Sequence, residues 1–128
     1  MTSWTSQQLG KIGGAEEVQI ASVRRDGTLG KPTTIWLVRQ GDDLYVRSVR
    51  GRGSSWFQGT QERREGRIRG AGAQQDVAFL DADDNLADEI DAAYRAKYGR
   101  YAGSILNSVL TPEARSTTLK LMPRDAPA

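Results

Sequence analysis

The chain of 128 residues contains no cysteine and no histidine. The first absence removes disulfides, iron–sulfur ligation and thiolate catalysis. The second removes the commonest metal ligand and general base, and every histidine-dependent triad with them. No apolar run reaches membrane-spanning length, and the N-terminus lacks the charged-then-apolar pattern of a secretory signal. These absences predict a soluble, cytoplasmic protein with no metal site. Its chemistry rests on carboxylates, lysine, arginine, tyrosine, hydroxyls or a bound cofactor. The length suits one domain over residues 1–128, large enough to bury a core without staples.

What is present is unevenly distributed. The net charge is +2, yet Arg24 to Arg69 holds eleven Lys/Arg against five Asp/Glu, and Gly70 to Arg95 holds seven acids against one base. A basic half of this kind favours a phosphate-bearing partner, either a small ligand or a nucleic acid. Arginines scattered over solvated strand faces give the same count without any partner.

The segment KPTTIWLVRQGDDLYVRSVRGRGSSW, Lys31 to Trp56, is the most informative. Strand-like runs at Thr33–Arg39 and Asp43–Val49 flank the turn Gln40-Gly41-Asp42. They lead to Arg47, Ser48, Arg50 and Arg52, then to a glycine-serine loop closed by Trp56. Guanidinium, hydroxyl and backbone amide donors clustered in this way suit a phosphate group. A helix starting at Ser54-Ser55 adds the anion preference of a helix N-terminus. Trp36 and Trp56 are each suited either to the core or to stacking on a flat ring.

Elsewhere the pattern predicts a short helix over about 5–12, with Thr5 and Gln8 as a capping box and Trp4 and Leu9 as its staple. Val18 to Arg25 forms a first strand ending at the Asp26-Gly27 turn, and Gly66–Ala71 with Asp76–Leu80 forms a further pair. The period turns helical over about 85–101, with Tyr94 and Tyr101 on the packing stripe and Arg95 and Tyr98 off it. Thr111-Pro112-Glu113 opens a helical turn, and Thr117–Met122 alternates as a closing strand. About six strands joined by tight turns, with peripheral helices, predict a small barrel, mainly β with added helices.

Two tempting motifs fail. Asp81 to Asn85 begins like a calcium loop, but Leu86 stands where the turn glycine belongs and Ala92 where the bidentate glutamate belongs. Gly51-Arg52-Gly53-Ser54 is glycine-rich but lacks the lysine and spacing of a P-loop.

The segments WTSQQLGKIGGAEEVQIAS, RRDGTLGKPTTIWLVRQGDDLYVRSVRGRGSSWF and IDAAYRAKYGRY resemble a family of short bacterial proteins classed as domain of unknown function 2255. The resemblance runs from Trp4 to about Arg124. Arg25 to Pro32, the two strands with their Gly-Asp turn, and the region to Trp56 are more distantly similar to deazaflavin-dependent nitroreductases. Those belong to the FMN-binding split β-barrel group, usually homodimers with the cofactor at the subunit interface. The resemblance implies phosphate contacts at Lys31, Thr33 and Thr34 on the first strand and at Arg47 and Ser48 on the second. It implies further contacts at Arg50, Arg52, Ser54 and Ser55 on the loop, with Trp56 over part of the ring.

The chain departs from the group in two places. Val23-Arg-Arg-Asp-Gly carries aspartate where the deazaflavin enzymes have serine, and Thr34 replaces the arginine of the oxidases' strand. The leading expectation is a homodimeric protein binding FMN or a deazaflavin, a reductase with Tyr98 as candidate proton donor. The alternatives are a non-enzymatic binder of haem, a nucleotide or a phosphorylated metabolite, and, last, a nucleic-acid binder.

Overall fold

A computed structural model describes residues 3–101 and 103–124. Its strands are β1 (Val18–Ser22), β2 (Thr33–Ile35), β3 (Leu37–Gln40), β4 (Asp43–Val46), β5 (Glu65–Gly70), β6 (Ala73–Asp81) and β7 (Leu119–Pro123). All pairs are antiparallel, in the order β2-β1-β5-β6-β7-β4-β3. The two outermost strands are consecutive in the chain, separated only by Trp36. The run expected as one strand over Thr33–Arg39 therefore changes partners at Trp36. Ile35 pairs with Val18 on one side of the break, and Leu37 pairs with Val46 on the other. The covalent chain thus ties the sheet's two edges together, bending it into a nearly closed barrel and leaving little edge exposed.

Side-chain alternation fills the barrel. Ile20, Leu37, Leu44, Val46, Ile68, Val77, Phe79, Leu119 and Leu121 point inward and share one core with Leu9, Ile12 and Phe57. Leu9 and Ile12 come from α1 (Ser6–Gly14), whose capping box between Thr5 and Gln8 forms as its sequence dictates. Trp4 is buried beside them and donates its indole N–H to the Leu121 carbonyl at 2.9 Å. Phe57 comes from α2 (Ser55–Arg63). Gly66 marks a tight crossing, since a Cβ there would lie 2.2 Å from the Ala21 carbonyl oxygen and 2.8 Å from the Phe79 ring.

A second core lies outside the barrel. Val38 and Tyr45, the outward residues of β3 and β4, are covered by Ile90, Tyr94 and Tyr98 of α3 (Ala87–Tyr98) and by Val109. Both faces of β3 are covered where it begins, Leu37 by the barrel core and Val38 by α3, while Arg39 is exposed. The helix expected over 85–101 is shorter, opening with a 3-10 turn at Asp84–Leu86 and ending at Tyr98. A further short helix, α4 (Gly103–Asn107), follows it unanticipated, and α5 (Pro112–Arg115) begins on its N1 proline. The structure has seven strands among the described residues, one more than expected, because the Trp36 break divides one of them.

Candidate functional site

The end of β4 carries Arg47 and Ser48 out of the sheet, and the chain then turns through Gly51 at φ +71° into α2. That turn folds the glycine-serine loop back beside β2 and Trp36. Between them lies a cleft of about 650 Å³. Of the ten residues expected to hold a ligand, eight line it: Thr33, Thr34, Arg47, Ser48, Arg50, Ser54, Ser55 and Trp56. The hairpin β3–β4 and the bend at Trp36 bring the two groups together.

The donors in the cleft differ in what they are free to do. Ser54 caps α2, accepting from the Phe57 N–H at 3.4 Å, and its hydroxyl lies 2.8 Å from that of Ser48. Ser48 is fixed in turn by its N–H, which donates to the Thr117 hydroxyl at 2.8 Å. Ser55 and Arg50 are exposed on the cleft, and Arg50 has no ion-pair or hydrogen-bond partner among the described residues. An exposed guanidinium, a serine hydroxyl and the opening turn of a nine-residue helix therefore meet at one end of the cleft. Trp36 and Trp56, both half-buried, supply aromatic surface, and Ile35, Val49, Ile105 and Val109 supply apolar surface.

Arg47 does not serve as expected. Its side chain is 0% exposed and its guanidinium is committed: Nη1 to Asp91 at 2.5 Å and to the Val109 carbonyl at 2.9 Å, Nε to the Thr118 hydroxyl at 2.9 Å, and Nη2 to the Ala87 carbonyl at 3.2 Å. It also faces the Tyr94 ring, 5.4 Å from its centre. Arg47 ties β4 to α3 and to the start of β7, so it supports the wall of the cleft with four of its five N–H donors spent inside the protein.

Lys31 and Arg52 lie outside the cleft lining. Arg52 donates to the Ser116 carbonyl at 2.9 Å and stands over the Phe57 ring. Tyr98 is also displaced from the expected role. It is buried behind Trp36, whose ring stacks on it at 4.0 Å with an interplanar angle of 4°. Its phenol donates toward the Glu16 carbonyl at 2.9 Å and the Leu37 carbonyl at 3.1 Å. Burial pushes its pKa up to about 12, so it holds its proton at neutral pH and does not reach the cleft.

Sequence reasoning missed Glu17, Ile105, Ser108 and Val109, which complete the lining. Glu17 precedes β1 and nothing local marks it, while the other three arrive on α4 and the turn after it. The charge asymmetry also resolves differently from expectation. Arg64 pairs with Asp81 at 3.0 Å, Arg67 with Asp76 at 2.8 Å and Arg47 with Asp91, each bringing a base of the basic half to an acid of the acidic half. Folding thus pairs three of the eleven bases of that half with acids from the other, thinning the basic face that nucleic-acid binding requires. Among the described residues no helix is long and apolar enough to cross a membrane.

Strand order, the tie at Trp36 and the helix-covered outer face define a split β-barrel of the FMN-binding-like class. The chain belongs to the family described as "Uncharacterized protein conserved in bacteria (DUF2255)", whose pattern matches residues 8–121. No functionally curated protein matches it in sequence.

Solved structures share the fold. An F420 reductase superposes with a TM-score of 0.58 at 12% identity, covering 91% of this chain and 93% of the other. The haem storage protein HutZ from Vibrio cholerae gives 0.60 at 11% identity, with 89% and 84% covered. A NimC/NimA family protein from Clostridium acetobutylicum gives 0.58 at 9% identity, with 91% and 78% covered. At these identities the likeness is one of fold.

Proposed function

We propose that the cleft binds a flavin-type cofactor, FMN or a deazaflavin, and that the protein is an oxidoreductase. The observation that carries this reading is the division of the cleft into a donor end and an aromatic, apolar remainder. Arg50, Ser55 and the first turn of α2 offer unspent donors for a phosphate. Trp36 and Trp56 offer faces to a flat ring, and about 650 Å³ lies within the range of small-molecule sites. The bound ring supplies the hydride or electron transfer. The chain's own residues bind and orient: Ser48 and Ser54 hold the loop, Arg47 braces it from behind, and Trp56 shields the ring from water.

Haem fits this cleft less well. The chain has no histidine or cysteine, and neither methionine nor tyrosine lines the cleft to serve as axial ligand. A homodimer belongs to the same reading, supported by Val49 and Ile105, which are 53% and 50% exposed on the cleft rim. Replacing both with Asp is expected to yield monomers by light scattering, and an unchanged mass would remove that element.

The test of the site is a visible-absorbance titration of the purified protein with FMN and, separately, a deazaflavin. Saturable binding with a shifted flavin band is expected for at least one of them. Absence of binding to both would overturn the reading.

A further inference from the structure

Lys97 stands apart from the cleft and from the chain's other lysines. Lys11 and Lys31 are exposed, and Lys120 faces Asp43 at 3.6 Å. Lys97, half-buried on α3, has no carboxylate within ion-pairing distance among the described residues. Its Nζ donates to the Leu37 carbonyl at 2.6 Å and lies 5.0 Å from the centre of the Tyr98 ring.

The side chain lines a shallow groove between α3 and β3. Gly13, Ala92, Ala93 and Ala96 make part of that groove small and uncharged, and Arg39 and Glu89 are the other charged groups lining it. Asp42 pairs with Arg39 at 3.6 Å, and Glu16, before β1, pairs with Arg100, after α3. Burial lowers the Lys97 pKa to about 8, Glu16 partly opposing. About a quarter of the amine is then neutral at pH 7.5, against roughly a thousandth for an ordinary lysine. A neutral amine still donates to Leu37 and keeps a lone pair for attack.

We propose that Lys97 is an acylation site that takes the acyl group of a small acyl phosphate entering through this groove. The Nζ lone pair attacks the acyl carbon, the bond from that carbon to the phosphate oxygen breaks, and phosphate leaves. The surplus Nζ proton passes to solvent. Arg39 lies on the groove with its side chain 45% exposed; its Nε donates to the Gly41 carbonyl and its Nη2 faces Asp42 at 3.6 Å, an exposed pair with which an entering phosphate competes for the guanidinium.

The product amide retains one N–H but loses the charge over the Tyr98 ring. Tyr98 shares the Leu37 carbonyl with Lys97 and carries Trp36 on its face, so acylation acts on the joint between β2 and β3 and on the cleft wall. This inference does not depend on what the cleft binds.

The experiment is to incubate the intact protein with acetyl phosphate and follow all four lysines by peptide mass spectrometry. Lys97 is expected to acetylate several-fold faster than Lys11 and Lys31 at pH 7.5, its own rate levelling off above about pH 8. Near-ultraviolet circular dichroism should change in step with Lys97 occupancy, and this change should be lost in Trp36→Phe. Lys97 reacting no faster than Lys11 and Lys31 would overturn the site. An unchanged spectrum at full Lys97 occupancy would overturn its link to the cleft wall.

Discussion

Arg47 carries a full charge to a position with no solvent contact, which is tolerable because Asp91, the Thr118 hydroxyl and two backbone carbonyls satisfy it together. Removing it strands the Asp91 carboxylate, leaving that group, among the described residues, only Arg115, whose Nε is 3.5 Å away. Arg47→Ala is therefore expected to cost about 3–5 kcal/mol in urea unfolding. Arg50→Ala, at an exposed and unpartnered position, should stay within about 0.5 kcal/mol. Equal losses for the two would contradict the division of labour drawn between them.

Lys97 makes a pH-dependent contribution of definite sign. Its folded pKa is depressed to about 8, so between there and the ordinary lysine value the unfolded chain binds more protons. Stability should rise with pH through that window relative to Lys97→Met, the burial cost being fully present below pH 8. Tyr98, with its pKa raised to about 12, acts oppositely only above the ordinary tyrosine value. Urea titrations of both proteins at pH 7 and 9.5 would show the difference, and parallel stabilities would sink the claim.

At the scale of elements, local chemistry wrote some features plainly. The Thr5–Gln8 capping box, the Gly41 turn at φ +64° and the Ser54 cap of α2 each depend on residues within a few positions, and each forms. The break at Trp36 does not depend on its neighbours. Thr33–Arg39 reads as one β-branched and apolar run, and only the competing partners β1 and β4 divide it. The helix α4 was equally illegible, because at five residues with none fully buried it is too short to show a helical period.

Gly66 is a case where a close approach across strands dictates the residue. Gly66→Ala should lose about 1–3 kcal/mol by overpacking against Ala21 and Phe79. Ser54→Ala should lose about 1 kcal/mol as a lost cap, and should also release the Ser48 hydroxyl. Thermal unfolding measures both, and an unchanged melting temperature in either variant would contradict the packing described.

Across the whole molecule, the barrel was legible because its strands alternate and its turns carry Gly and Asp, and the family resemblance supplied the topology. Eight expected ligand residues meet in one cleft because the segment holding them folds as a hairpin followed by a loop that returns to β2. Arg47 and Tyr98 were misjudged for a shared reason. Their chemistry is visible in sequence, but their partners, Asp91 for one and the carbonyls of Glu16 and Leu37 for the other, lie 44 to 82 positions away.

The central claim is that one end of the cleft anchors a phosphate while the rest receives a ring. It is tested most directly by comparing dissociation constants for FMN and riboflavin, which differ by that phosphate, in the wild type and in Arg50→Ala. A phosphate anchor requires FMN to bind at least about tenfold more tightly than riboflavin, and Arg50→Ala to remove most of that advantage. Equal affinities in the wild type, or an advantage that survives the substitution intact, would contradict it.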